Sequence, residues 1–105
     1  METLVRQLND VLCAYKEKND YFQKMKLEFS VREDGQLCLN GLSLGIDKPM
    51  ELIYADFADS ELIQFEFKGH EKIEIQMRWP QDDSPALHTV AYTNAAGDVP
   101  VFYCA

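Results

Sequence analysis

The sequence predicts an α+β fold: one N-terminal helix packed across one face of an antiparallel, mostly meandering sheet of five to seven strands. Two patterns and their punctuation predict it. Apolar residues recur with helical spacing once, over Leu4 to Tyr15, and alternate with polar ones over several later stretches. Between those stretches stand Glu33-Asp34-Gly35, Gly69-His70 and Asn94 to Asp98, which read as turns between neighbouring strands. At 105 residues the chain is read as a single domain able to bury its own core.

The helix is written in Leu4, Leu8, Val11, Leu12 and Tyr15, which draw one stripe while Arg6, Asp10, Lys16 and Glu17 lie elsewhere. Thr3 is placed to cap it. Asn19-Asp20 weakens the pattern, so the helix either stops there or continues to Phe22 and Met25. About fifteen residues at ~1.5 Å each span ~22 Å, close to the width of five strands ~4.8 Å apart. The stripe carries neither metal ligands nor catalytic groups, and its role is core packing.

Leu27 to Val31 is a strand with Leu27, Phe29 and Val31 on one side. A three-residue loop ending in Gly35 fits a type I turn followed by a left-handed residue. It pairs Val31 with Leu37 and Phe29 with Leu39, leaving Glu28, Ser30, Arg32, Gln36, Cys38 and Asn40 on the outer face. Asn40 to Met50, with Gly41, Gly45 and Pro49, reads as a connector; GLSLG lacks the lysine and the following helix of a phosphate loop. Glu51 to Phe57 reads as a strand buried on both sides or a short helix, because Leu52, Ile53 and Tyr54 are consecutive. Asp56, Asp59 and Glu61 then crowd a short solvated loop without the spacing or glycine of a calcium site.

Leu62 to Trp79 is the central hairpin. Ile63, Phe65 and Phe67 alternate with Gln64, Glu66 and Lys68; Ile73, Ile75, Met77 and Trp79 alternate with Glu74, Gln76 and Arg78. A two-residue Gly69-His70 loop would mix the faces. A three-residue loop, Gly69-His70-Glu71, pairs Phe67 with Ile73, Phe65 with Ile75 and Ile63 with Met77. That register sets Glu66 against Glu74 and Lys68 against Lys72, a mildly unfavourable arrangement relieved by diagonal Glu–Lys contacts. Pro80 to Pro85 is a loop, and Ala86 to Thr93 and Val99 to Tyr103 are short strands. Pro100 cannot donate to a ladder, which puts the last strand at an edge or pairs it on its other side only.

Eighteen acidic against ten basic residues give a net charge of −8. Such a field opposes direct binding to nucleic acid or anionic membranes and speeds association with a basic partner. Cys13, Cys38 and Cys104 are an odd, scattered set, which favours free thiols and a cytoplasmic location. The opening METLVRQLND is amphipathic and charged, unlike a signal peptide, and no run approaches a membrane span.

Catalysis finds no convergent residue set. Cys104 and His88 face each other in one register of the final hairpin, without an orienting residue or oxyanion site. His70, Glu71 and Glu74 resemble a zinc motif only in sequence, because on a strand and its turn they do not share a face. Glu66 and Glu74 are too close and too open for glycoside chemistry. No enzyme activity, cofactor or metal is expected.

The functional expectation is a non-catalytic acidic binding protein. It would be an inhibitor or immunity-type protein, phage-encoded anti-defence inhibitors included, that neutralises a basic nucleic-acid-processing partner. Glu66, Glu74, Asp56, Asp59, Glu61 and Arg78 are the residues expected to meet that partner, from a monomer or homodimer. One alternative is a small-molecule carrier or enzyme with a pocket near Tyr15, Phe22, Phe65 and Trp79. Another is a secretion-type chaperone, which would need a second helix for dimerisation. The order of a helix followed by antiparallel strands resembles that of cystatin-like folds, and no motif in the chain identifies a family.

Overall fold

A computed structural model describes residues 1–18, 27–59, 62–78 and 86–103. The chain is α+β, with an N-terminal helix and two antiparallel sheets, and it divides into two compact units, Met1–Glu51 and Leu52–Ala105. The strands thus fall into sheets of three and five, where the sequence reading placed them in a single sheet. Alternation looks the same whichever sheet a strand joins. The segment between the sheets carries Pro49, which has no N–H to offer a ladder.

In the first unit, helix α1 (Glu2–Lys18) buries Leu4, Leu8 and Leu12, the centre of the expected stripe. Thr3 lies inside the first turn and is not the cap; the Val5 N–H bonds to the Met1 carbonyl at 3.0 Å, so the helix opens two residues earlier. The helix packs on β1 (Phe29–Val31), the outer strand of the order β1-β2-β3, with β2 at Leu37–Leu39 and β3 at Leu42–Ile46. Phe29 pairs with Leu39 and Val31 with Leu37, the register expected from the Glu33-Asp34-Gly35 loop. The Gly35 N–H closes that turn on the Arg32 carbonyl, and Arg32 reaches Asp34 at 2.8 Å.

Two expectations for this unit are corrected. Cys38 is fully buried, because β2 is the middle strand and both of its faces are covered. A thiol suits such a site as a small apolar group, and its S–H turns to the Gln36 carbonyl at 3.7 Å. The segment after Asn40 is not a plain connector but holds β3, joined to β2 by the two-residue Asn40-Gly41 turn that brings Leu39 opposite Leu42. Both turn residues have positive φ, 51° and 82°. That is the primed turn whose twist matches the strands it joins.

Gly41 tests this turn. A Cβ there would meet nothing within 4 Å, so Gly41→Ala puts only backbone strain into the turn. The substitution is expected to cost about 1–2 kcal/mol, read as a lower urea midpoint at constant slope.

The second unit is a meander in the order β4-β5-β6-β7-β8. The strands are β4 (Leu52–Asp59), β5 (Leu62–Phe67), β6 (Glu71–Arg78), β7 (Ala86–Thr93) and β8 (Val101–Tyr103). Leu52 to Phe57 is therefore strand, not helix, yet it is not buried on both sides, since Ile53 and Tyr54 are exposed. Ile63, Phe65, Phe67, Ile73, Ile75, Met77, Val90 and Tyr92 are all buried, which leaves one face of this sheet apolar. β8 is an outer strand, as Pro100 required, and the Pro100 carbonyl accepts from the Tyr92 N–H at 3.2 Å.

The β5–β6 register differs from the expected one by two residues. Phe67 pairs with Glu71, Glu66 with Lys72, Phe65 with Ile73 and Ile63 with Ile75, around a Lys68-Gly69-His70 loop. Gly69 and His70 take the positive φ values there, 91° and 66°. A slip of two preserves the faces, and it replaces the like-charge opposition of Glu66 and Glu74 with Glu66 opposite Lys72, whose charged atoms lie 3.8 Å apart. Exposed pairs of this kind contribute about 0–1 kcal/mol, enough to bias a choice between registers that bury similar residues. The slip also brings Glu71 onto the apolar side, where the Tyr92 hydroxyl donates to its carboxylate.

Candidate functional site

The candidate surface is the outer face of the five-stranded sheet, and the ladder sets its layout. Asp56, Gln64, Glu74 and Ala91 stand opposite one another across β4, β5, β6 and β7. The neighbouring row is Tyr54, Glu66, Lys72 and Thr93. Glu66 is thus diagonal to both Asp56 and Glu74, within about 7–8 Å backbone to backbone. Three carboxylates from three adjacent strands meet one lysine among the described side chains of these rows. Asp56, Glu66 and Glu74 are half-buried and Lys72 is exposed.

The expected site residues are therefore only partly brought together. Asp56, Glu66 and Glu74 share the face. Asp56 and Asp59 belong to β4 instead of an acidic loop, because that strand runs on past Phe57 through an irregularity to pair Asp59 with Leu62. Arg78 pairs through its backbone with Ala86 at the far end of β6. The side chains of Asp59 and Arg78, and Glu61 altogether, lie outside the described residues. So do Phe22, Trp79 and Cys104, and with them the pocket near Tyr15 and the Cys104–His88 pair.

Tyr54 belongs to this surface and was not singled out by its sequence context. Its alternation with Asp56 puts a phenol beside a carboxylate on one strand. Asp56 raises the hydroxyl's pKa chiefly by charge, with lesser contributions from burial, a hydrogen bond to the same carboxylate and the charge of Glu66. The phenolate would be a further anion among anions. A phenolate absorbance titration, differenced against Tyr54→Phe, is expected to show Tyr54 ionising above the ordinary tyrosine value, and Asp56→Asn to bring it down. With the folded value raised, the stabilising contribution is complete below the unfolded value and is lost as pH rises through the folded one.

The first unit offers two open recesses instead. One of about 420 Å³ is lined by Glu28, Ser30, Asn40 and Gly41, and another of about 300 Å³ runs between α1 and the Leu27-Glu28 segment ahead of β1, past Asn9, Leu12, Cys13 and Lys16. The groups around the first are engaged with each other, as the Asn40 side-chain oxygen accepts from the Glu28 N–H at 2.9 Å.

Comparison with protein families, with curated proteins and with solved structures finds no match to this chain. Any functional reading therefore comes from the surface itself. Among the described residues no helix is long and apolar enough to cross a membrane.

Proposed function

We propose that this chain is a non-catalytic acidic binding protein, an inhibitor or immunity-type neutraliser whose outer sheet face docks on a basic, nucleic-acid-processing protein. The supporting observation is the convergence of Asp56, Glu66 and Glu74 from three neighbouring strands on one wet face. A net charge of −8 surrounds it. A protein that handles nucleic acid presents the opposite charge in a groove, and a flat acidic sheet can compete with a phosphate backbone for it. Complementarity of this kind acts mostly on encounter rate and specificity, so it is sensitive to salt.

The test is an affinity capture from the producing organism with the immobilised chain and with an Asp56→Asn/Glu66→Gln/Glu74→Gln variant. These positions are not in the apolar core, so the variant is expected to fold. The wild type is expected to retain a basic protein at low salt and release it at high salt, and the variant to retain far less. Recovery of only neutral or acidic proteins without salt dependence, or equal recovery by both chains, would remove the basis of the reading.

A further inference from the structure

We propose that β4 accepts an added strand: an extended basic segment of a protein partner pairs with its open edge and sets arginine or lysine side chains over Tyr54 and Asp56. This rests on the reading of the acidic face as a docking surface and specifies how that face is engaged.

The argument starts from the two edges of the five-stranded sheet. β8 is three residues long and follows Pro100, two features that keep an edge from templating further pairing. β4 is eight residues, LIYADFAD, without a lysine, arginine or proline. Among the described residues no strand pairs with its other side. An outer strand presents a row of N–H and C=O groups, and the regular stretch of β4 between its register shifts at Leu52/Tyr54 and Phe57/Asp59 is where an added strand can pair. Its one irregularity near the start, between Leu52 and Tyr54, turns Ile53 outward. Ile53 is 65% exposed and Tyr54 50%.

Charge selects the occupant. A second copy of this chain would set Asp56 and Glu66 near their own duplicates, with −8 on each molecule. A basic segment meets them with the opposite sign. Opposite Asp56 an arginine forms a charge-assisted pair, and beside Tyr54 it lies against the ring face. At the turn end of the strand a recess of about 220 Å³, lined by Ile53, Glu66, Phe67, His70 and Lys72, adjoins the exposed isoleucine. It has room for one apolar side chain of the incoming segment.

The probes are two labelled synthetic peptides, one alternating arginine with valine and one alternating glutamate with valine. Each is titrated against the full chain by fluorescence anisotropy, and amide exchange is followed with and without it. The arginine peptide is expected to bind and to slow exchange over Ile53–Asp56 while leaving β8 unchanged. Tyr54→Lys and Asp56→Asn are each expected to weaken it about tenfold, and Asp98→Asn, in the turn between β7 and β8, to leave it unaltered. An unchanged urea midpoint for Tyr54→Lys verifies that the variant is folded. Equal binding of the arginine peptide to wild type and Tyr54→Lys, with loss in Glu74→Gln, overturns edge pairing and leaves the acidic-face reading standing. Equal binding of the glutamate peptide overturns both. Sedimentation showing a dimer that Tyr54→Lys dissociates would identify a second copy as the occupant and overturn the proposal.

Discussion

Phe65→Ala is expected to cost about 3–5 kcal/mol of folding stability, the largest effect of any single truncation proposed for this chain. Phe65 is completely buried in β5, with Ala55 opposite on one side and Ile73 on the other. The small Ala55 cannot move in to fill the space, and Ile73 is held by the ladder to β7. The loss is therefore the transfer energy of the ring plus the contacts its neighbours forfeit around the cavity. Against a total stability of about 5–15 kcal/mol, this is enough to leave a substantial unfolded population near physiological temperature. Urea denaturation followed by two probes is the measurement. Phe65→Leu, which keeps most of the volume, is expected to cost far less, and equal midpoints for the two variants would show that the pocket is not packed as described.

The second large effect is expected at Asn9, on the opposite side of the chemical scale. Its side-chain amide donates to the Phe29 carbonyl at 3.0 Å and accepts from the Phe29 N–H at 2.8 Å. The amide imitates a neighbouring strand, and it satisfies both backbone groups of an edge residue whose own side chain is buried. Asn9→Ala removes both of these bonds to Phe29 in a part-buried place, at about 1–3 kcal/mol for each group that water cannot reach. Asn9→Asp keeps the acceptor and sets a carboxylate oxygen against the Phe29 carbonyl, so it is expected to be no better than alanine at neutral pH. The readout is the urea midpoint, together with amide exchange at Phe29, which should speed up in Asn9→Ala, where the acceptor of the Phe29 N–H is lost. An Asn9→Ala protein as stable as the wild type would mean that water takes over both bonds.

These two residues differ in how visible they are along the chain. Phe65 stands in an alternating run, and its burial follows from period two alone. Asn9 stands on a helix amid other polar residues, and nothing near it announces a partner twenty positions later. The same contrast holds in the candidate surface. Glu66 and Glu74 were recognisable as acidic and outward-facing, while Asp56 read as part of a loop and Tyr54 was hidden in an apolar triplet whose exposure depends on β4 being an outer strand. The Asn40-Gly41 turn was missed in the connector reading of Asn40 to Met50, although an asparagine–glycine pair between apolar stretches is a strong hairpin signal. It was obscured by the neighbouring Gly45 and Pro49, which made the whole segment look like a loop.

From its residues alone this chain declares an N-terminal amphipathic helix, antiparallel strands with alternating apolar and polar residues, the Glu33-Asp34-Gly35 register and a strongly acidic character. Each is a local property: a period, a turn or a sum of charges. Tertiary structure decided the division into two sheets, the two-residue slip of the β5–β6 hairpin, the bracket of Asn9 around Phe29 and the Tyr92–Glu71 contact. Side chains in a strand repeat every two residues, so registers two apart bury the same faces and cannot be told apart by pattern. Only the partners that meet across strands, Glu66 with Lys72 and Tyr92 with Glu71, separate one from the other.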